Sequence, residues 1–344
     1  MLVLIPTLIA LASTAIFASI SFRSRKGRDR STLVVPKEFA VDASSAVRGM
    51  HLRMFAAVGA GAVVAGILAF APIRVLHLAL GAAIAPGIGA LVACLVIAAM
   101  PFPRTGTGFA VRQADLTPRE ATSFGPRWGF ILPLVSAALL VIFLIATASL
   151  ARDTDYTDLS REIGLVTPGG YATASPYPGW FYAAPLLVGT VLLVGGVLFT
   201  LWRIAGARSS GALDLAPLDA AIRRATTRFV MLLSSAVIVL YLGATALTAG
   251  SAWRNVAQWS KLNAGGLRKV ASAMPPNYTV RLGPSDFLMG VVQPQYTTGA
   301  IESVVGIVLI GFALTLLILA ITSFRVRWTI AEPTPSPEPV KATA

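Results

Sequence analysis

Ionisable residues at the ends of apolar segments are the first candidates for chemistry in this sequence. Arg74 and His77 stand at the start of one apolar run, and Glu302 stands at the start of another. Histidine titrates near neutral pH and a carboxylate binds cations, so the three residues together would form a pH-sensitive or cation-binding site. The alternative is that water reaches each of them separately at a membrane surface, where charged side chains at helix ends extend towards solvent.

The motifs of common enzymes and metal sites are missing from the sequence. His51 and His77 are predicted on opposite faces of a membrane and therefore cannot share a haem or a metal ion. The acidic residues in 153–162 lack the spacing and the central glycine of a calcium loop. The glycine-rich stretch 104–108 has no P-loop lysine, and no GxSxG or HExxH motif occurs. We therefore expect no enzymatic activity, no cofactor and no bound metal.

A proline and three glycines interrupt the apolar run 75–100. Gly81, Pro86, Gly87 and Gly89 lie in the sequence GAAIAPGIGA. Proline removes a backbone donor, glycine permits unwinding, and interrupted helices line substrate sites in transporters. Small residues also let neighbouring helices pack closely. Because glycine and proline are frequent in membrane helices, the pattern favours the packing interpretation.

The stretch from residue 217 has the chemistry of a helix start on the predicted inner side. Pro217 suits the first helical turn, Asp219 suits its positive end, and Arg223 and Arg224 follow. We expect this segment to run directly into the next apolar span. Such a helix would dock on a partner ATPase; the alternative is an interfacial helix that its arginines hold at the membrane surface.

The composition requires a membrane. Of the 344 residues, 56% are hydrophobic and 12% are charged, and the mean hydropathy is +0.75. Soluble domains carry roughly 25% charged residues, so a soluble fold of this length would leave extensive apolar surface in water. The single cysteine, Cys94, excludes an internal disulfide. Loops that face anionic lipid headgroups explain the net charge of +13 without nucleic acid.

Seven segments are long and apolar enough to span a bilayer as helices, which takes about 20 residues. They are 2–21, 54–71, 75–100, 129–150, 181–202, 229–249 and 301–324. The arginine-rich stretch 21–30 follows the first of them, and the positive-inside rule places it in the cytoplasm. We therefore predict an all-α transmembrane bundle of seven spans in a bacterial plasma membrane, with the N-terminus outside and the C-terminus inside. The first segment lacks the basic n-region of a signal peptide, so we expect it to be retained.

Two outer loops and a C-terminal tail complete the predicted organisation. The loops are 151–180 and 251–300. In the second loop, apolar residues recur at helical intervals before the glycine pair 265–266, which predicts two short amphipathic helices on the outer leaflet. The proline-rich tail 330–344 is predicted to be extended and disordered.

Two short strings resemble a known group of proteins. PRTGT at 103–107 follows the predicted hairpin of the second and third spans, and SPYPG at 175–179 precedes the fifth. In these strings the chain resembles uncharacterised actinobacterial polytopic membrane proteins that occur beside an ABC-transporter ATPase and a GntR-type repressor. The resemblance covers residues 100–205 and implies a genomic context, with no catalytic residues to transfer.

The leading functional hypothesis is a permease-like or accessory subunit of an ATPase-driven export or envelope-stress system. It follows from the missing nucleotide motif, the helix start at residue 217 and the resemblance. One alternative is a self-contained secondary transporter that uses the interrupted third span. Another is an envelope sensor or assembly scaffold that binds partners through its outer loops.

Overall fold

Six helices run through the part of the chain that the computed structural model describes. That part comprises residues 33–70, 80–102, 124, 127–153, 160–167, 170–207, 215–273, 285–324, 326 and 328–330. The helices are α1 Ala40–Phe70, α2 Leu80–Ala99, α3 Arg127–Leu150, α4 Trp180–Ala205, α5 Ala216–Ala273 and α6 Ser285–Thr322. The strands are β1 Leu33–Val35, β2 Arg152–Asp153, β3 Ser160–Thr167, β4 Gly170–Ala174 and β5 Trp328–Ile330.

Each of the six helices contains a stretch long and apolar enough to cross a membrane, so the chain is an integral membrane protein. The predicted spans 129–150 and 181–202 agree closely with α3 and α4. The first predicted span, 2–21, lies outside the described residues, and so does the arginine-rich stretch 21–30. The seventh crossing and the orientation therefore stay predictions.

Helix α1 begins at Ala40, well before the predicted start of its span at residue 54. Ala43, Val47, Met50 and Met54 are buried at helical intervals along this extension. The charged residues between them lower the local hydropathy, and this hides the helix from a search for apolar runs.

The two short helices predicted within the outer loop 251–300 are not separated at the glycine pair 265–266. Helix α5 continues without a break to Ala273, through the glycine pair 265–266, and α6 already begins at Ser285. A glycine in a helix costs only about 1 kcal/mol relative to alanine, which neighbouring helical residues can outweigh. At 58 residues, α5 is about 87 Å long, far more than a bilayer requires.

Helix α5 is the centre of the bundle. It contacts the other five helices of the described chain as well as β3 and β4. In its most apolar stretch 78% of the residues are buried, against 22–44% in the other five membrane helices. A helix covered on all sides needs no polar face. The buried hydroxyl groups of Ser234 and Ser235 donate hydrogen bonds to the backbone carbonyl of Met231, which belongs to the same helix.

Pairs of glycines bring α5 and α6 into close contact. Gly243 faces Gly306, and Gly250 faces Gly299, which matches two antiparallel helices with one contact every seven residues. A Cβ atom added to Gly250 would lie 2.5 Å from the carbonyl oxygen of Gly299. The two backbones therefore approach more closely than any larger residue permits.

Helices α1 and α2 form an antiparallel hairpin in which a pair of glycines likewise brings the two backbones into close contact. A Cβ atom on Gly61 would lie 2.5 Å from the carbonyl oxygen of Gly89, and one on Gly89 would lie 2.7 Å from that of Gly61. Gly81 and Gly87 are also buried on α2. The packing interpretation of the small residues in α2 therefore agrees with the structure at Gly89.

The bundle has two different ends. Helices α2, α4 and α6 finish at one end, which we call the arginine end because Arg53, Arg203 and Arg223 lie there. At the same end, β1 pairs in parallel with β5. At the opposite, sheet end, the antiparallel strands β2, β3 and β4 lie between α3 and α4 in sequence. Neither sheet was predicted. The predicted tail 330–344 begins inside β5, and residues 331–344 lie outside the described residues.

The sheet is held against the bundle by a second, small core. Ile163 of β3, Ala172 of β4 and Tyr177 pack on Ala252 and Val256 of α5. The strands are short, and the apolar periodicity of the sequence alone does not identify them.

Large apolar side chains cover the outer faces of the membrane helices. On α1, α3, α4 and α6 they follow helical spacing, as expected for residues that contact lipid. Examples are Val63 and Ile67 on α1, Leu134, Val135, Leu139 and Ile142 on α3, Val188, Val191 and Leu192 on α4, and Leu314, Leu317, Ile318 and Ile321 on α6.

We predict that Gly250→Ala destabilises the bundle, whereas Gly59→Ala does not. The new methyl group at 250 meets the backbone of α6, and overpacking of this kind costs about 1–3 kcal/mol. Gly59 has nothing within 4 Å of its Cβ position and therefore tolerates the same change. Thermal unfolding midpoints of both variants in detergent test this, and equal midpoints would contradict the proposed backbone contact.

Candidate functional site

The proline of α2 is packed against a tyrosine of the central helix. The hydroxyl of Tyr241 on α5 accepts a hydrogen bond from the backbone N–H of Gly87 at 2.6 Å and donates one to the carbonyl of Ile84 at 2.8 Å. Pro86, between these two residues, has no N–H of its own. One side chain thus bonds with the backbone of α2 on both sides of its proline.

Helix α2 is continuous through this point, so the candidate break at Gly81, Pro86, Gly87 and Gly89 is not formed. The Tyr241 hydroxyl lies where a side chain at Gly87 would begin, so only glycine allows it to approach. The polar groups that an unwound helix would offer to a substrate are used within the bundle. The secondary-transporter hypothesis loses the interrupted helix on which it depended.

At the arginine end, two arginines bind the last carbonyls of α2. Arg53 on α1 donates through Nε, at 3.0 Å, and through Nη2 to the carbonyl oxygen of Ile97. Arg203 on α4 donates through Nε to the adjacent carbonyl of Ala98 at 3.4 Å. These carbonyls lie in the last turn, where helical partners run out and the helix dipole favours positive charge.

The same chemistry ends α4 and α6. Arg223 on α5 donates through Nη1 to the carbonyl of Ile204 at 2.7 Å and through Nε to the carboxylate of Asp219 at 2.9 Å. The Nε2 atom of His51 lies 3.0 Å from the carbonyl of Phe324, just after α6. Side chains from α1, α4 and α5 therefore bind carbonyls in the last turns of α2 and α4 and one carbonyl just after α6.

An aromatic ring lies between two of these cations. The guanidinium carbon of Arg53 is 5.0 Å from the ring centre of Phe102, and that of Arg223 is 4.8 Å from the same centre. Arg223 also lies 5.6 Å from the ring centre of Phe124. A cation over a desolvated ring gains electrostatic attraction, so Phe102 helps both arginines to remain buried.

The residues predicted to dock a partner divide into two kinds. Asp219 and Arg223 are 6% and 1% exposed and are bonded to each other, so they stabilise the bundle and present no surface. Pro217 and Arg224 are exposed on the same first turns of α5. The prediction that this segment runs straight into the sixth span is confirmed, because α5 begins at Ala216.

The predicted outer polar site is described only at Glu302, since Arg74 and His77 lie outside the described residues. Glu302 is on α6 at the sheet end, and its Oε2 atom is buried without a hydrogen-bond partner. Its charge acts on the nearby hydroxyl of Tyr177, to which the indole of Trp253 donates a hydrogen bond. The rings of Tyr177 and Trp253 meet edge to face with centroids 6.5 Å apart.

The pKa of Tyr177 is raised well above its ordinary value. Burial in the small core is the main cause because it disfavours the charged phenolate. The negative charge of Glu302 raises the pKa further, and the hydrogen bond from Trp253 opposes the shift. Tyr177 therefore stays neutral and acts as a structural hydrogen-bonding group.

Among the described residues, no three histidine, cysteine or carboxylate side chains are placed to hold a metal ion. Arg53, Arg203 and Tyr241 bond to backbone groups, and Arg53 also lies over the ring of Phe102. What this arrangement can do is attract anions at the arginine end and fix the helices relative to one another.

Sequence reasoning missed Arg53 and Tyr241 as important residues. Arg53 immediately precedes the predicted span 54–71 and so resembles a loop cation, although Ala46, Met50, Arg53 and Ala57 share one buried helical stripe. That spacing could have identified it. Tyr241 has no comparable signal, because nothing local connects it to Pro86, which is 155 residues away in the sequence.

Comparison of the chain with protein-family models, with curated proteins and with solved structures finds no match. The string 175–179 belongs to the connection between β4 and α4, where Tyr177 is buried, whereas 103–107 lies outside the described residues. The functional interpretation therefore depends on the chemistry of the chain itself.

We predict that Tyr241→Phe lowers the stability of the bundle by about 1–3 kcal/mol, because the Ile84 carbonyl loses its bond to the hydroxyl and the Gly87 N–H loses its acceptor. Thr248→Val is the matched control, since the exposed Thr248 hydroxyl bonds only to carbonyls of its own helix. Unfolding midpoints in detergent measure both changes, and a Tyr241→Phe protein as stable as the control would show that the α2–α5 bonds contribute nothing.

We predict that Tyr177 makes stability fall at high pH. A tyrosine that keeps its proton in the folded state but loses it at a pKa of about 10 when unfolded stabilises the fold below that pH and progressively less above it. Between about pH 10 and 12, unfolding midpoints of the wild-type protein should fall more steeply than those of Tyr177→Phe. Parallel curves for the two proteins would exclude this role.

Proposed function

We propose that this integral membrane protein is an envelope scaffold or sensor that binds a protein partner at its sheet end. The single observation that carries the proposal is the length of α5. Beyond Gly250, at the last glycine contact with α6, the helix continues to Ala273, a distance of about 35 Å. A helix of this length, supported by a packed sheet, supplies an ordered surface outside the lipid.

A specific face of α5 is available for this binding. Asn255, Gln258 and Trp259 are exposed at intervals of three and four residues, so they lie on one side of the helix. Trp259 is 58% exposed. An exposed tryptophan among polar side chains is typical of the residues that dominate protein interfaces.

The charge distribution supports a plasma-membrane orientation with the arginine end in the cytoplasm. The described arginines at that end include Arg48, Arg53, Arg203, Arg224 and Arg228, and positive residues near helix ends are retained on the cytoplasmic side. In this orientation the sheet end, with α5 beyond Gly250, lies outside the cell.

A second candidate is the permease-like or accessory subunit of an ATPase-driven system. The exposed Pro217 and Arg224 support it, because they lie at the arginine end on the same continuous helix that reaches the sheet end. A cytoplasmic ATPase bound there would contact the element that carries the outer surface.

Site-specific photo-crosslinking in intact cells distinguishes these functions. We expect a photoreactive amino acid at Trp259 to form a covalent adduct with an envelope protein, and one at Arg224 to do so with an ATPase if the second candidate holds. The matched control is Val63, an exposed lipid-facing residue of α1, which should yield lipid adducts only. Adducts identified by mass spectrometry as lipid alone at position 259 would contradict the scaffold proposal.

A further inference from the structure

Several guanidinium groups at the arginine end have no carboxylate partner among the described residues. They include those of Arg53, Arg203, Arg224 and Arg228, whereas the carboxylate of Asp219 is already paired with Arg223. Like charges at this density repel one another unless an anion lies between them.

Among these arginines, Arg53 is the one whose unpaired charge is buried. Its side chain is 6% exposed, and its Nη1 atom is buried without a hydrogen-bond partner. The carbonyl of Ile97 and the ring of Phe102 stabilise part of the charge through partial charges only. A buried cation is normally paired with a full negative charge, because desolvation is otherwise too costly.

Arg203 connects this buried charge with the membrane surface. It is exposed, it binds the carbonyl next to the one that Arg53 binds, and it follows the exposed Trp202. Tryptophan at the end of a membrane helix is typical of the headgroup region. An anion at the level of the headgroups would therefore meet Arg203 first.

We propose that the arginine end binds a phosphate group between Arg53 and Arg203. A phosphate oxygen suits the planar guanidinium fork, which forms short, charge-assisted hydrogen bonds to it. Basic pockets between membrane helices bind anionic headgroups in the same way. The group belongs to an anionic phospholipid or to free inorganic phosphate; both have the chemistry that the two arginines require.

The test measures binding of phosphatidylglycerol to the purified full-length protein by native mass spectrometry and by the shift of its unfolding midpoint. Phosphatidylcholine and inorganic phosphate are the comparison ligands. Arg53→Gln keeps a donor for the Ile97 carbonyl but removes the charge, and Arg203→Gln makes the same change at an exposed position. Arg224→Gln removes one exposed charge from the same end and is the matched control.

We expect phosphatidylglycerol to bind and to stabilise the wild-type protein, and we expect Arg53→Gln and Arg203→Gln each to weaken binding at least about tenfold, the usual effect of losing a charged hydrogen bond. Arg224→Gln should change it little. Stabilisation by phosphatidylglycerol but not by inorganic phosphate identifies a lipid headgroup, and equal stabilisation by both identifies a phosphate-ion site. Equal affinity of the Arg203→Gln and Arg224→Gln proteins for both ligands would overturn the proposal.

Discussion

Close contact between helix backbones is the constraint on which this structure depends. Lipid tails are as apolar as leucine side chains, so helices in a bilayer gain little from hiding apolar surface and associate through packing. Gly243 and Gly250 of α5 let α6 come near enough for backbone contact, and Gly61 of α1 does the same for α2. With these two pairs formed, α3 and α4 cover the remaining sides of α5.

The helix ends impose a second requirement, because carbonyl groups in the last turn need donors. At the arginine end the donors come from neighbouring helices: Arg53 and Arg203 for α2, Arg223 for α4, and His51 beside the end of α6. Arginines in such positions are usually ascribed to topology alone. Here they also connect the helices, so a change of one cation alters packing and charge together.

The apolar cores of the helices could be predicted from the sequence because each exceeds the thickness of a bilayer. The ends could not, since residues such as Arg53 look like loop residues until burial is known, and the helical continuation through 265–266 depends on neighbours rather than on local preference. The strands were missed because each is short. For the candidate sites, the sequence drew attention to Pro86 and Arg223 but could not supply the residues that lie beside them, Tyr241 and Ile204, which are distant along the chain.

The pairing of β1 with β5 has a consequence for biosynthesis. These strands join residues 33–35 to residues 328–330, so the first described segment finds its partner only after residues 328–330 have left the ribosome. Until then, β1 has no partner strand, and the first half of α1 lies at the membrane surface with part of its contacts unmade. Assembly of this face is therefore a late, post-insertion event, whereas the α1–α2 hairpin can close as soon as it is translated.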